Sequence, residues 1–524
     1  YLRHQYGQNR GRELSREIDL PLDDSHIPSQ IFVKREVYLG KTQETMKPRM
    51  IWPRNSRVVA HYSLLFHRIS EAIQGMWNGR STHGSDIFYT CRATPDDVGG
   101  FVEGLFSRHA HVSESDVSSW DGSINPTLLA IEKYFFTMKV ETTEDTRWLE
   151  EQWDRVIGLS RNREVSVSMK HGRRSGDLWT SCFNSLLNVL IVMWVYGLEW
   201  TDDFSMIVLG DDNIVGLGET PRVDAVAAYA SIGMKCDVLV RADIEETSYC
   251  SGRFWRVGDS YRWGISPFRA FQKLGVNNHD HPKKLWKGLL YGSAKSLLPV
   301  AGHIPIIGAF LRTICDTAKS QGVRAHYDVR DRNPYRIQGG LCLHPDSQTY
   351  AQFCDRYGMS LEVVARFEET IRNVCHIDDC PYLLVDDYFV QGLSVDLEQE
   401  CGVPMYRFDP LVESKEIDDW EETVVQAPIL EEIDKLGNGS CSFAESMARA
   451  REYGEAENRY GPHFDHVKLH QMFTGISYVN LRCGVAVHRA YNVIAYHNRL
   501  LPAAKKKNGG GGKKKAGKPA RRNN

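Results

Sequence analysis

Apolar residues recur along this chain at spacings that mark out its elements. From about Val58 to Trp77 they read as one helix, and Val112 to Trp120 alternates like a short strand. Pro126 to Phe136 reads as a helix with proline in its first turn. Asp177 to Tyr196 reads as a long apolar helix with a polar stripe, in which Thr180, Asn184 and Asn188 fall at i, i+4 and i+8 on one face. Phe204 to Leu209 and Asn213 to Val215 read as two strands around a tight turn. Val223 to Ile232 is a further helix stopped by Gly233, and from about Leu274 the pattern is mainly helical. The first fifty residues are polar and rich in charge. From Leu501 the chain is low-complexity, with Gly509 to Gly512 between lysine clusters, the composition of a disordered tail.

A chain of 524 residues suits several subdomains, and its 42% hydrophobic and 25% charged content is that of a soluble globular protein. The first residue is Tyr1, so we expect a fragment of a longer product. No signal-peptide pattern is present, and no run reaches the roughly 18 apolar residues of a membrane span. The nearest, Leu297 to Leu311, is interrupted by His303 and several Pro and Gly and reads as a buried helix or loop. The net charge of −3 hides an asymmetry: nine Lys or Arg lie between Lys505 and Arg522, and the remainder carries −12. Such a body is no general nucleic-acid binder, and RNA would need a local basic channel. Twelve cysteines without a C-x-x-C pair argue against a zinc ribbon or disulfide framework and for reduced thiols. Cys375, His376 and Cys380 fit no standard zinc spacing.

Seven Asp-Asp pairs occur, so adjacency alone means nothing. Asp211-Asp212 differs by context: it follows Gly210 and lies between two apolar runs, which makes a hairpin with carboxylates at its tip. Burying adjacent acids is costly without cations, so such a tip is a natural metal site. Asp386-Asp387 is the rival, but it lacks the turn glycine. A second set is Asp116-Val-Ser-Ser-Trp-Asp121, in which Asp116 ends a strand and Asp121 begins the next turn. Two-metal phosphoryl transfer needs carboxylates from separate elements, and a strand end plus a hairpin tip supply them. Each also reads as an acid-rich surface turn. Between them runs Ser175-Gly176, then Thr180 and Asn184, on an apolar helix whose buried amides need polar partners. Capping and satisfied core asparagines explain each residue singly but not the ordered set.

D-x4-D, S-G-x3-T-x3-N and G-D-D, in this order within about a hundred residues, resemble motifs A, B and C of viral RNA-dependent RNA polymerases. The flanking residues look most like the tombusvirus- and nodavirus-like group of positive-strand RNA viruses, and the resemblance covers roughly Phe32 to Gly275. It implies an α+β right-hand polymerase with fingers, palm and thumb and an RRM-like antiparallel palm sheet. The implied domains are N-terminal fingers with motif F (1–111), palm (112–128 and 170–272), a fingers insertion (129–169), thumb (273–435), a C-terminal helical extension (436–500) and the disordered basic tail (501–524).

The resemblance also implies roles. Asp116 and Asp211 look like ligands of two Mg2+ or Mn2+ ions, with Asp212 as the supporting acid. Asp121 and Asn184 would bond the 2′-OH of the incoming ribonucleotide, the group that separates RNA precursors from DNA precursors. Ser175 and Gly176 would form a loop beside template and nucleotide, and Thr180 would support the sugar site. Phe32 to Arg35 and Lys47 to Arg54 resemble motif F. Lys34, Lys47, Arg49 and Arg54 would pair with the triphosphate, Arg49 foremost, and Lys41 and Arg57 would extend the cationic surface to RNA. A solvated charged loop is the alternative. Gly233-Met-Lys235 resembles motif D, so Lys235 is either a general acid for pyrophosphate or an exposed helix-end lysine. Tyr249 to Phe254 resembles motif E, with Cys250 and Ser251 against the nascent strand, or is an edge strand without contact. Lys505, Lys506 and Lys507 are RNA contacts or a solvated tail.

The expected partners are therefore a viral RNA template, nascent RNA and ribonucleoside triphosphates. The expected setting is a membrane-associated replication complex in the host cytoplasm, anchored by sequence outside this chain. A reverse transcriptase would carry an aromatic residue at Asp121 and an aromatic-x-D-D turn. A non-catalytic RNA-binding replication protein would suit the tail but leave the carboxylate constellation unexplained.

Overall fold

The run from Phe204 to Leu209 pairs antiparallel with Asp212–Leu217 around Gly210-Asp211, and this hairpin is the centre of a five-stranded sheet. On one side of it lies His111–Val117, antiparallel to Asp212–Leu217, and then Cys236–Arg241 at the edge. On the other side Asp86–Tyr89 runs parallel to Phe204–Leu209. These elements come from a computed structural model that describes residues 1–34, 49–80, 84–274, 282–327, 344–378, 392, 395 and 396. All of these fall within the compact unit formed by Tyr1–Leu384 and Gln391–Pro404. Helices and sheets are mixed throughout, in agreement with the α+β expectation.

The central sheet is buried on both faces, which explains why its hairpin strands read as continuous apolar runs. Met206, Val208, Val215 and Leu217 join one apolar cluster with the helix Thr180–Tyr196. Ile207, Ile214 and Val112 turn the other way onto Val98, Val102 and Leu105 of the helix Pro95–Arg108. Ser205, the one polar residue in the buried run Phe204–Val208, is satisfied by His109 Nε2 at 2.7 Å. Phe183, Leu187 and Val189 of the long helix are fully buried, each contributing roughly 1.5–3 kcal/mol. That helix ends at Gly197, whose φ of 65° lets its N–H return to Met193 and Trp194.

Several expectations shift at their edges. The strand expected to reach Trp120 stops at Val117, and Asp121 lies in a short helix, Trp120–Ser123. The long helix begins at Thr180, the second hairpin strand spans Asp212–Leu217, and the next helix is Ala225–Ser231. The polar N-terminal stretch holds the helices Leu2–Tyr6 and Gln8–Glu17 and the strand Ser29–Val33, whose short apolar faces leave little periodic signal. Leu297 to Leu311 is split between the helices Trp286–Ala301 and Ile307–Ser320. No helix among the described residues is long and apolar enough to cross a membrane.

The domain borders need correction. Asp86–Tyr89, expected in the fingers, is a strand of the central sheet. The borders after 111, 128 and 272 fall inside the strand His111–Val117 and the helices Pro126–Lys139 and Pro267–Lys273, so none is a linker. Ser29–Val33 and Met50–Ile51 share a four-stranded sheet with Val156–Ser160 and Ser166–Met169, so part of the N-terminal region and part of the 129–169 insertion are joined in one sheet. Residues 436–500 and the tail 501–524 lie outside the described residues.

Candidate active site

Leu209 pairs with Asp212, which leaves Gly210 and Asp211 as a two-residue loop. Gly210 has φ 66° and Asp211 does not share that sign, as in a turn with glycine in its first central position. Across the sheet Ser115 pairs with Asn213, so Asp116 is the next residue toward the hairpin tip. Asp116, Asp211 and Asp212 are all exposed to solvent there. Their mutual effect is visible in the acidity of Asp116 and Asp212. Partial desolvation raises Asp116, and Asp211 and Asp237 add to the shift. Asp212 keeps water-accessible surface but is hemmed in by protein, and with Asp211 and Asp116 this pushes it up to about 7. The Cys250 thiol and backbone N–H bond to Asp212 and partly offset that rise.

The polar stripe of the long helix fastens this tip. Ser185 Oγ accepts from Gly210 N at 2.7 Å, and Asn188 Nδ2 donates to the carbonyls of Gly210 and Asp211 at 3.1 and 2.9 Å. Asn188 Oδ1 accepts from Asn213 Nδ2 at 2.9 Å, and Asn213 reaches Ser115 Oγ at 2.6 Å. One turn earlier, Asn184 Nδ2 donates to Asp121 Oδ1 at 3.2 Å. Burial raises the Asp121 carboxyl, while the bond from Asn184 and the nearby Arg173 act against the rise. Thr180 Oγ1 donates to the Arg174 carbonyl at 2.9 Å and so holds the preceding loop rather than an open face.

That loop is latched to the segment 50–54. Gly176 bridges Pro53, and a Cβ at Gly176 would sit 2.4 Å from the Trp52 carbonyl, so only glycine permits the approach. Ser175 Oγ donates to the Met50 carbonyl at 3.3 Å. Arg54 is a correction to the expected triphosphate-binding set. Its side chain is fully buried, 3.5 Å from Asp177 Oδ1 and over the Trp179 ring at 5.8 Å, with no surface for a phosphate. Arg57 donates from Nε to Glu17 at 3.0 Å and from Nη1 to the Pro21 carbonyl at 3.0 Å, with part of its side chain at the surface. Arg49 is exposed and Lys34 half-buried on adjoining strand ends, with Lys34 N donating to the Arg49 carbonyl at 2.8 Å. Lys41, Lys47, Lys505, Lys506, Lys507, Cys380 and the Asp386-Asp387 pair lie outside the described residues.

Lys235 is exposed just after Gly233, whose φ of 81° ends the helix as expected. Cys250 and Ser251 form the left-handed turn between Ser248–Tyr249 and Gly252–Val257, with φ 49° and 58°. The Cys250 thiol therefore faces Asp212, and only Ser251 is exposed. The described cysteines are free thiols. Two groups escaped the sequence reading. Asp237 lies directly across from Asp116 on the edge strand, and counting in twos along Cys236–Arg241 would have found it. Arg173 and Glu132 form a buried ion pair behind Asn184, and their distance in sequence hid it.

Hard carboxylate oxygens from separate strands suit small divalent cations. Among the described residues no group of three or more His, Cys, Asp or Glu side chains is placed so that it could hold a metal ion. Residues 33–287 match a family model described as RNA dependent RNA polymerase. No curated protein matches the chain. Among solved structures, the chain is similar to the RNA-dependent RNA polymerase of a human picobirnavirus at 16% identity, covering 52% of this chain and 52% of that one with a TM-score of 0.44. It is also similar to the sicinivirus RNA-dependent RNA polymerase at 17% identity, covering 60% and 68% with a TM-score of 0.44. The match thus spans about half the length of the first of these structures. Residues 33–287, which hold the acidic hairpin, its partner strand and the helix that fastens them, are the part of the chain that matches the RNA-dependent RNA polymerase family model.

Proposed function

We propose that this chain synthesises RNA on an RNA template from ribonucleoside triphosphates, as the replicating polymerase of a positive-strand RNA virus. The observation that carries the reading is the approach of Asp116 to Asp211 and Asp212 on adjacent antiparallel strands, with the Asp121–Asn184 pair held beside them by the same helix. In this reading the central sheet is an RRM-like palm. Its strands His111–Val117, Phe204–Leu209, Asp212–Leu217 and Cys236–Arg241 supply the four-stranded order, with Asp86–Tyr89 added at one edge. The N-terminal region and the 129–169 insertion act as fingers, and the helices after Trp286 as thumb. The residues flanking the motifs favour the tombusvirus- and nodavirus-like group.

Asp116 and Asp211, assisted by Asp212, would hold two Mg2+ or Mn2+ ions. Bound there, such ions supply Lewis acidity toward the attacking hydroxyl and the leaving pyrophosphate. The protein's own groups do the rest. Arg49, with Lys34 and Lys47, offers charge to the triphosphate. Asp121 accepts from the ribose 2′-OH, Ser175 and Gly176 border the nucleotide, and Lys235 stands as proton donor to pyrophosphate. Ser251, Lys41 and the tail lysines Lys505 to Lys507 would meet template and nascent RNA. The reading places the enzyme in a membrane-associated replication complex in the host cytoplasm.

The test is RNA synthesis by the purified chain, primed and unprimed, with Mg2+ or Mn2+. Template-dependent incorporation of ribonucleotides that Asp211→Asn abolishes is expected. No incorporation in either mode, or undiminished synthesis by the Asn variant, would sink the proposal.

A further inference from the structure

The Asp121–Asn184 pair has a buried support in Arg173 and Glu132. Arg173 Nε donates to Asn184 Oδ1 at 3.0 Å, and its backbone N–H donates to the Asp121 carbonyl at 2.8 Å. Its guanidinium is 1% exposed and is paired through Nη2 with Glu132 Oε1, whose side chain is 0% exposed. Glu132 also accepts from Trp153 Nε1 at 3.3 Å. Trp153 stacks on Trp179 at 4.8 Å and meets Phe136 at 5.0 Å and Phe183 at 5.7 Å, so the ion pair sits against an aromatic core. Apolar residues would fill such a place at no loss of stability, and a buried ion pair there calls for another reason.

The reason follows from hydrogen-bond polarity. A side-chain amide can turn over, exchanging its oxygen and nitrogen at little cost when its neighbours accept either end. Guanidinium only donates and carboxylate only accepts. With Arg173 on one side and Asp121 on the other, Asn184 has one satisfied orientation, with oxygen toward Arg173 and nitrogen toward Asp121. We infer that Arg173, held by Glu132, is a positioning residue for sugar selection: it fixes the Asn184 amide so that Asp121 and Asn184 present one acceptor and one donor to a ribose 2′-hydroxyl. A 2′-hydroxyl both donates and accepts, and a deoxyribose leaves both groups unmatched. Released from Arg173, the Asn184 oxygen loses its donor, the amide is oriented by the Asp121 bond alone, and the acceptor–donor pair is held less firmly. This inference rests on the reading of Asp121 and Asn184 as the sugar site.

Primed single-nucleotide incorporation by the full chain tests it, comparing kcat/KM for ATP and dATP. Arg173→Met should lower the ribose preference roughly tenfold or more by raising KM for ATP while dATP is little changed. Arg173→Lys, which can still donate and pair with Glu132, should restore the preference to within about threefold of the parent. Should the single Met variant fail to fold, Glu132→Gln with Arg173→Met removes both buried charges together and decides the matter, its fold checked by thermal unfolding. Asn184→Ala and Asp121→Ala serve as references. A folded double variant with parental preference, while the references lose it, overturns the role of Arg173 alone. Parental preference in the two references overturns the sugar site itself and this inference with it.

Discussion

Asn188 donates its side-chain amide to the backbone carbonyl of Asp211 at 2.9 Å, so a helix residue fixes the path of the acidic turn without touching its carboxylates. The same amide serves Gly210 and receives Asn213. Asn188→Leu would leave buried backbone and amide groups without partners, at a cost of about 1–3 kcal/mol. We expect a lowered urea midpoint and a larger loss of RNA synthesis than the unfolded fraction explains. A stable variant with parental turnover would show that the turn holds its own shape.

The raised pKa of Asp212 makes cation binding pH-dependent. A carboxyl pushed up to about 7 is largely protonated below that pH, so a cation must displace its proton. Mg2+ affinity measured by calorimetry should rise between about pH 6 and pH 8, with proton release seen as a buffer-dependent heat. Asp212→Asn should flatten that slope. A pH-independent affinity in the parent would mean that Asp212 stands apart from the ions.

Arg54 and Arg49 should behave oppositely. Arg54→Ala leaves a cavity beside Trp179 and removes one of the two cations at buried Asp177, so we expect a loss of about 3 kcal/mol with little change in KM for nucleotides. Arg49→Ala, at an exposed position, should raise KM and leave the unfolding midpoint unchanged. A raised KM with intact stability for the Arg54 variant would reverse the assignment.

His303 gives a stability signature away from the hairpin. It is buried, and desolvation, followed by the nearby Arg262 and Arg312, holds it well below the ordinary imidazole range. The folded chain therefore keeps it neutral, while the unfolded chain takes up a proton near pH 6.5. Stability from this group is fully present above about pH 6.5 and declines as pH falls below it. His303→Gln should reduce the drop in urea midpoint between about pH 7.5 and pH 5.5. His109 and His111, lowered by burial, leave a residual slope of the same sign. An unchanged slope in the variant would place the titration elsewhere.

What the sequence disclosed and what it withheld divide along physical lines. The hairpin was legible because two apolar runs bracket one Gly-led turn, and the long helix because its stripe repeats every fourth residue. These are local patterns that a single segment carries whole. Arg54 looked like its basic neighbours because charge is visible in a sequence and burial is not; only the packing of Trp179 and Asp177 distinguishes it from Arg49. The pairing of Arg173 with Glu132 joins two segments across the fold, and no spacing rule anticipates it. The strand Asp86–Tyr89 was too short for its alternation to register, and its partner lies far along the chain.

That last strand bears on how the molecule is assembled and cut. Asp86–Tyr89 pairs with Ser205 to Val208, so nascent polypeptide must emerge well past the acidic hairpin before the sheet is complete. Such sequence-distant parallel pairing is slow to form, and until it does one side of an almost wholly apolar strand stays unpaired. A fragment begun at Val112, however faithfully it keeps the motifs, would leave that edge open for good, a template for pairing with other chains. Shortened versions intended for expression should therefore begin upstream of Asp86, and clumping of those that do not would be a consequence of topology rather than of the chemistry they carry.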